Sequence, residues 1–151
     1  MSLMIIFLTF LGGYILSAQS SINGKLSSRL GTLETALVTF VTGALFLAIW
    51  LLFFGQGNLL AIAEAPKWQL LGVFFGTGYL FLTILVVPKI GVTVTNITAI
   101  VGQITAGFLI DQFGWFGAST IHFNSSKFVG LVFMMIALIF IFKDDRKQQH
   151  S

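Results

Sequence analysis

The chain has 151 residues, 56% hydrophobic and 9% charged, with a mean hydropathy of +0.97, whereas about a quarter of the residues of a soluble domain carry charge. This composition suits a bilayer and leaves no room within the chain for a separate aqueous catalytic domain. The absence of cysteine excludes disulfides and thiolate metal sites, and the net charge of +3 sits in short loops and the tail, where it bears on membrane orientation rather than on nucleic acid.

Five apolar runs, each long enough or nearly so to cross about 30 Å of hydrocarbon as a helix, predict an all-α integral membrane protein. Helix 1 covers about 3–22 and ends at the polar Asn23-Gly24-Lys25. Its start lacks the basic region and cleavage site of a removable signal, so it is retained as a span. Helix 2 covers about 33–54, with Thr32 as its expected N-cap and Gly55-Gln56-Gly57-Asn58 as its stop. The run Leu59–Ala63 is too short to span and reads as an interfacial segment closed by Glu64 and Pro66. Helix 3 covers about 68–87 and is expected to stop at Pro88, since the residue before a proline avoids helical geometry. Helix 4 follows almost at once, over about 92–110. Helix 5, about 127–142, is the shortest and leads into a charged tail. The expected organisation is one five-helix domain, 1–142, with a tail at 143–151.

An odd number of crossings puts the termini on opposite faces. Lys25, Arg29, Lys89, Lys143, Arg146 and Lys147 fall on the face opposite the N-terminus, here face B, against Lys67 and Lys127 on face A. This bias predicts a cytoplasmic face B and an external N-terminus. Trp50, Trp68 and Trp115 all fall toward face A, where indoles anchor in the headgroup region. Without the tail the basic count is three against two.

Polar groups at membrane depth carry the functional information, because an unpaired amide or hydroxyl in hydrocarbon costs several kcal/mol. Gln19 and Asn23 share a face of helix 1; Asn96 and Gln103 share a face of helix 4; Tyr14 and Tyr79 lie near mid-depth on helices 1 and 3. Their convergence points to a polar cavity for substrate, the alternative being ordinary interhelical hydrogen bonds. Gly72 and Gly76, and Thr35, Thr39 and Gly43, have the small-xxx-small spacing of close helix packing. Glu34, in the first turn of helix 2, complements the helix dipole, and Asp111 at the end of helix 4 is a structural or gating group. No Asp, Glu, Lys, Arg or His stands mid-membrane to relay protons. Held by amides, phenols and shape, a substrate would be neutral, zwitterionic or a weakly hydrated cation bound through the faces of Tyr14 or Tyr79. His122 and His150 lie outside the spans and too far apart for a metal pair. No phosphate loop, nucleophile elbow or catalytic carboxylate pair is present, so no enzyme, cofactor or metal is expected.

The stretches Gln19-Ser20-Ser21-Ile22-Asn23-Gly24-Lys25-Leu26 and Gly76-Thr77-Gly78-Tyr79, with Gly102-Gln103 followed by Asp111-Gln112-Phe113-Gly114, resemble the five-helix YdcZ-type family of the drug/metabolite transporter superfamily. The resemblance covers nearly the whole chain, and Gln19, Asn23, Gln103 and Asp111 match its recurring polar positions. It implies a half-unit whose partner is an inverted copy of itself or an oppositely oriented homologue. It also implies a solute site at the repeat interface and alternating access by rocking. The small four-helix multidrug exporters carry a central glutamate in helix 1 that this chain lacks. The expected function is thus a secondary transporter of a small solute; the competing reading is a structural or regulatory membrane subunit. A passive channel is less favoured, since rings of charge are scarce.

Overall fold

In the computed structural model, residues 2–118, 120 and 125–148 are described, and among them all regular structure is helical. Five α-helices follow in order: α1 Ser2–Leu30, α2 Thr32–Phe54, α3 Leu71–Ile90, α4 Val92–Phe113 and α5 Ser125–Gln148. Short 3-10 turns at Leu59–Ala63 and Lys67–Leu70 link α2 to α3, and another at Trp115–Gly117 follows α4. Four helical segments are long and apolar enough to cross a membrane, Leu3–Leu30, Thr32–Phe54, Lys67–Ile90 and Val92–Phe113, with a shorter apolar helix over Phe128–Lys143. Large apolar side chains such as Leu3, Leu52 and Phe74 are at least 73% exposed. A surface of this kind is stable against lipid and not against water.

Several boundaries differ from the sequence reading, each for a local reason. Asn23-Gly24-Lys25 does not end α1, which runs on to Leu30. A Cβ added at Gly24 would overlap Val87 Cγ1 and stand 3.9 Å from Pro88 Cδ. The glycine is therefore the point where α1 and α3 touch, rather than a helix breaker. Thr32 is the first helical residue and not the N-cap; that place belongs to Gly31, with φ 98° and ψ 160°, a region open essentially to glycine alone. Pro88 sits inside α3, near enough to its end that the missing N–H disrupts little of the ladder. Asp111 lies within α4, whose end is set by Gly114 in the left-handed region, its N–H bonded to the Ile110 carbonyl. The charged residues from Lys143 to Gln148, read as tail, continue α5. In the segment read as interfacial, Leu59–Ala63 forms a 3-10 turn, and Asn58 Oδ1 accepts from Leu60 N–H at 2.9 Å.

The chain divides into two compact units, Met1–Ile90 and Gly91–Ser151. In the first, α1 packs on α2 and α3, and α2 on α3. Beside Gly24, its buried residues are half apolar, Ala36, Leu80, Ile84 and Val87, and half polar, Ser20, Asn23, Thr35 and Thr83. Such a core is expected where lipid removes the hydrophobic drive and small or hydroxylated side chains let helices approach. In the second unit α4 packs on α5. Two helix starts share one joint: Thr35 N–H and Oγ1 both donate to the Gly31 carbonyl, at 3.1 and 2.8 Å, and Thr95 N–H and Oγ1 both donate to the Gly91 carbonyl, at 3.3 and 2.7 Å. Gly91, like Gly31, has a positive φ, 80°.

Gly24→Val is expected to destabilise the protein by about 1–3 kcal/mol through overpacking, and Gly24→Val with Val87→Ala to recover most of the loss. Thermal unfolding of the parent and the two variants in detergent checks this; equal stability of Gly24→Val and the parent would refute the contact.

Candidate functional site

The polar centre of the first unit is Asn23. It is 5% exposed, one turn from the buried Ser20 on α1, and its amide meets α2 through a hydrogen bond from Thr39 Oγ1 to Asn23 Oδ1 at 3.1 Å. The same hydroxyl lies 2.8 Å from the Thr35 carbonyl. One proton serves two acceptors, so the amide oxygen is only partly satisfied. At the other end Asn23 Nδ2 is buried with no partner among the described residues. The buried hydroxyls of this unit give their protons back to their own helices, Ser20 Oγ to the Leu16 carbonyl at 2.9 Å, Thr35 Oγ1 to Gly31 at 2.8 Å and Thr83 Oγ1 to Tyr79 at 2.8 Å. This back-bonding is how Ser and Thr enter an apolar helix without an orphaned donor.

The other predicted residues occupy different settings. Gln19 is exposed and Tyr14 is 69% exposed, both on α1. Tyr79 on α3 is half-buried. Glu34 is exposed in the first turn of α2, and a Cβ at Gly31 would overlap its carboxylate, so the acidic group lies over the helix start as the dipole argument requires. On α4, Asn96 is half-buried and already engaged, Gln103 is exposed, and Asp111 is half-buried. Neither the Gln19 nor the Gln103 side chain hydrogen-bonds another described residue.

Depth matters for those two amides. Gln103 is at the middle of α4. Gln19 lies about 6 Å along α1 from Asn23, on the side toward the middle of α2, since Asn23 is tied to Thr39 in the first half of that helix. Two amides thus reach the outside of the chain near mid-helix. Within the first unit, then, only Asn23 of the predicted residues stands fully in the core.

Sequence reasoning missed Thr39 as the partner of Asn23, having assigned it to packing alone. It also passed over the Gly-x-x-x-Thr signal, present at 31–35 and 91–95, that marks both joints. An open groove of about 590 Å³ runs along the second half of α2, lined by Ala44, Leu47, Ala48, Trp50 and Leu51 among others, and holds none of the predicted residues. Trp50 is flanked there by Phe46 and Phe54, with ring centroids 5.8 and 5.2 Å away. Among the described residues no group of three or more His, Cys, Asp or Glu could hold a metal ion; His122 and His150 lie outside them.

Thr39→Val should leave the Asn23 amide without either partner and destabilise the first unit by about 1–3 kcal/mol. Asn23→Leu with Thr39→Val should cost less than the sum of the two single changes. A double-mutant cycle on thermal stability measures this; strict additivity would mean the hydrogen bond carries no coupling.

Comparison with known proteins gives no match to a curated protein and none to a solved structure. The chain does match, over residues 4–140, the family described as “Putative inner membrane exporter, YdcZ”. That match reaches into all five helices and includes Gln19, Asn23, Gln103 and Asp111, and on this extent the chain is a member of the YdcZ family of the drug/metabolite transporter superfamily, a multi-pass membrane protein of an exporter family.

Proposed function

We propose that the chain is one half of a secondary transporter that exports a small solute by alternating access as an antiparallel pair. The observation that carries this is the pair of exposed mid-helix amides, Gln19 and Gln103, with no hydrogen-bond partner among the described residues. Left in lipid, each amide would cost several kcal/mol. A second chain, or a polar path between two chains, removes that cost. The second half is an inverted copy of this chain or an oppositely oriented homologue, and the solute site forms where the two meet near the midplane.

The chemistry of the site follows from its residues. Amides of Gln19, Asn96 and Gln103 give and accept hydrogen bonds, and the phenols of Tyr14 and Tyr79 add aromatic faces. Asn23 reaches the solute only when α1 moves away from α2 and α3, because the resting core encloses it. With no mid-membrane carboxylate, the favoured solute is neutral, zwitterionic or weakly hydrated and cationic. Asp111 and Glu34 stay at helix ends as structural or gating groups, and α5 acts as scaffold or as contact between chains. The basic bias sets the N-terminus outside and the C-terminus in the cytoplasm.

In proteoliposomes loaded with a solute panel, Gln103→Leu and Gln19→Leu are each expected to lower saturable counterflow at least about tenfold, about 1.4 kcal/mol in transition-state terms, without loss of assembly. Unchanged counterflow in both would refute the site. Loss of assembly without any transport by the parent protein would instead identify a structural subunit.

Orientation is tested separately, since the chain has no cysteine of its own. A single Ser28→Cys reporter, at an exposed position near the end of α1, should label from the cytoplasmic side of intact cells. Labelling from that side alone identifies a homologue as partner; labelling from both sides identifies an inverted copy. Labelling from outside alone would overturn the assigned orientation.

A further inference from the structure

The hairpin of α1 and α2 turns on one residue, Gly31, and a single bond gives its register: Asn23 of α1 meets Thr39 of α2. The helices run antiparallel, so one turn further toward face A brings Gln19, four residues before Asn23, level with Gly43, four residues after Thr39. These two turns are unlike. To Asn23, α2 offers a hydroxyl; to Gln19 it offers no side chain at all. A Cβ built at Gly43 meets nothing within 4 Å across the hairpin, the Gln19 amide included. Gly43 is therefore not a point of close helix approach within the chain, although its small-xxx-small spacing predicts one. Its level is also where packing of the hairpin ends. The buried residues of α1 and α2, Ser20, Asn23, Gly24, Thr35 and Ala36, all lie on the face B side of it, whereas residues 3–16 of α1 and 44–54 of α2 are exposed. Gly43 itself is half-buried.

We propose that the gap at Gly43 is a solute subsite, in which the Gln19 amide binds a hydrogen-bonding edge of the solute and the absent side chain makes room for its body. The inference rests on the transporter reading above and adds to it a residue that sets the size of the solute. An amide facing an empty position is half of a pair, and in hydrocarbon the other half has to be polar. A solute bearing a hydroxyl, amide or carbonyl supplies it. No Asp, Glu, Lys, Arg or His lies within one turn of Gln19 or Gly43, so the class that fits is neutral rather than ionic. Close approach of a ligand to the backbone is one of the uses for which glycine alone serves. Depth agrees with this role. Both residues stand twelve positions from Gly31, about 18 Å along the helix, which is near the middle of about 30 Å of hydrocarbon.

Two measurements in proteoliposomes test the subsite, the first independent of transport. Gly43→Cys should react with a small, water-soluble methanethiosulfonate at least about tenfold faster than Leu45→Cys, an exposed position at nearly the same depth on the opposite side of α2. Equal rates would overturn the proposal, since lipid or a neighbouring helix would then fill the gap, and would leave the transporter reading untouched. The second is counterflow of a panel of neutral solutes graded by size. Gly43→Leu, which fills the gap, should raise KM at least about tenfold for the largest solute carried and less than about twofold for the smallest, with kcat and the thermal midpoint unchanged. A uniform loss, or a panel whose order stays the same, would overturn the subsite even with a reactive Gly43→Cys, because the gap would then hold water alone. Absence of counterflow by the parent for every solute would overturn the transporter reading and the subsite together.

Discussion

Satisfaction of polar groups without water is the constraint on which this protein is built. In hydrocarbon every N–H, C=O and hydroxyl needs a partner within the chain or across a contact. The commonest solution here is to fold hydroxyls back: Thr9, Ser20, Thr35, Thr77, Thr83, Thr95 and Thr105 each donate to the carbonyl four residues earlier. These side chains let helices touch closely and ask nothing of their neighbours. Amides cannot do this so easily, having two donors and an acceptor on a longer stem. They are consequently the residues through which the helices interact with something else.

Four amides show three outcomes. Asn23 is drawn into the core of α1, α2 and α3 and pinned by Thr39. Asn96 is half-buried and engaged. Gln19 and Gln103 remain outside at mid-helix. The first outcome holds a unit together, and the last points beyond the chain. A transporter needs both kinds: a unit firm enough to move as a body, and a polar surface that gains its partners from a second body or a solute. The half-polar core of the first unit suits such motion, because hydroxyl and amide contacts can be exchanged for others where a wedge of large aliphatic side chains cannot.

The helices themselves were legible in the sequence because a span of apolar residues has few other uses. Their ends were less so. Asn23-Gly24 reads as a helix stop by propensity, yet Gly24 is where α3 closes on α1, and that contact outweighs a propensity difference of about 1 kcal/mol. Pro88 reads as a terminator, but near a helix end the lost hydrogen bond matters little. Asn23 was visible as a polar residue at depth; its partner Thr39 was not, since pairing between helices depends on rotation and register that one chain's periodicity does not encode. The joints were visible in principle. Gly31 and Gly91, each followed four residues on by a threonine, form a recurring pattern that composition alone does not bring forward.

The Gly31 joint has a consequence for how the protein is made. A single residue separates α1 from α2, so no slack exists for one helix to enter the bilayer while the other waits in the translocation channel. The two go in as a hairpin, and whichever way the ribosome-bound chain settles Lys25 and Arg29, Glu34 and all of α2 must follow. The orientations of the two helices are then coupled, so that Lys25 and Arg29, beside that glycine, bear on both at once.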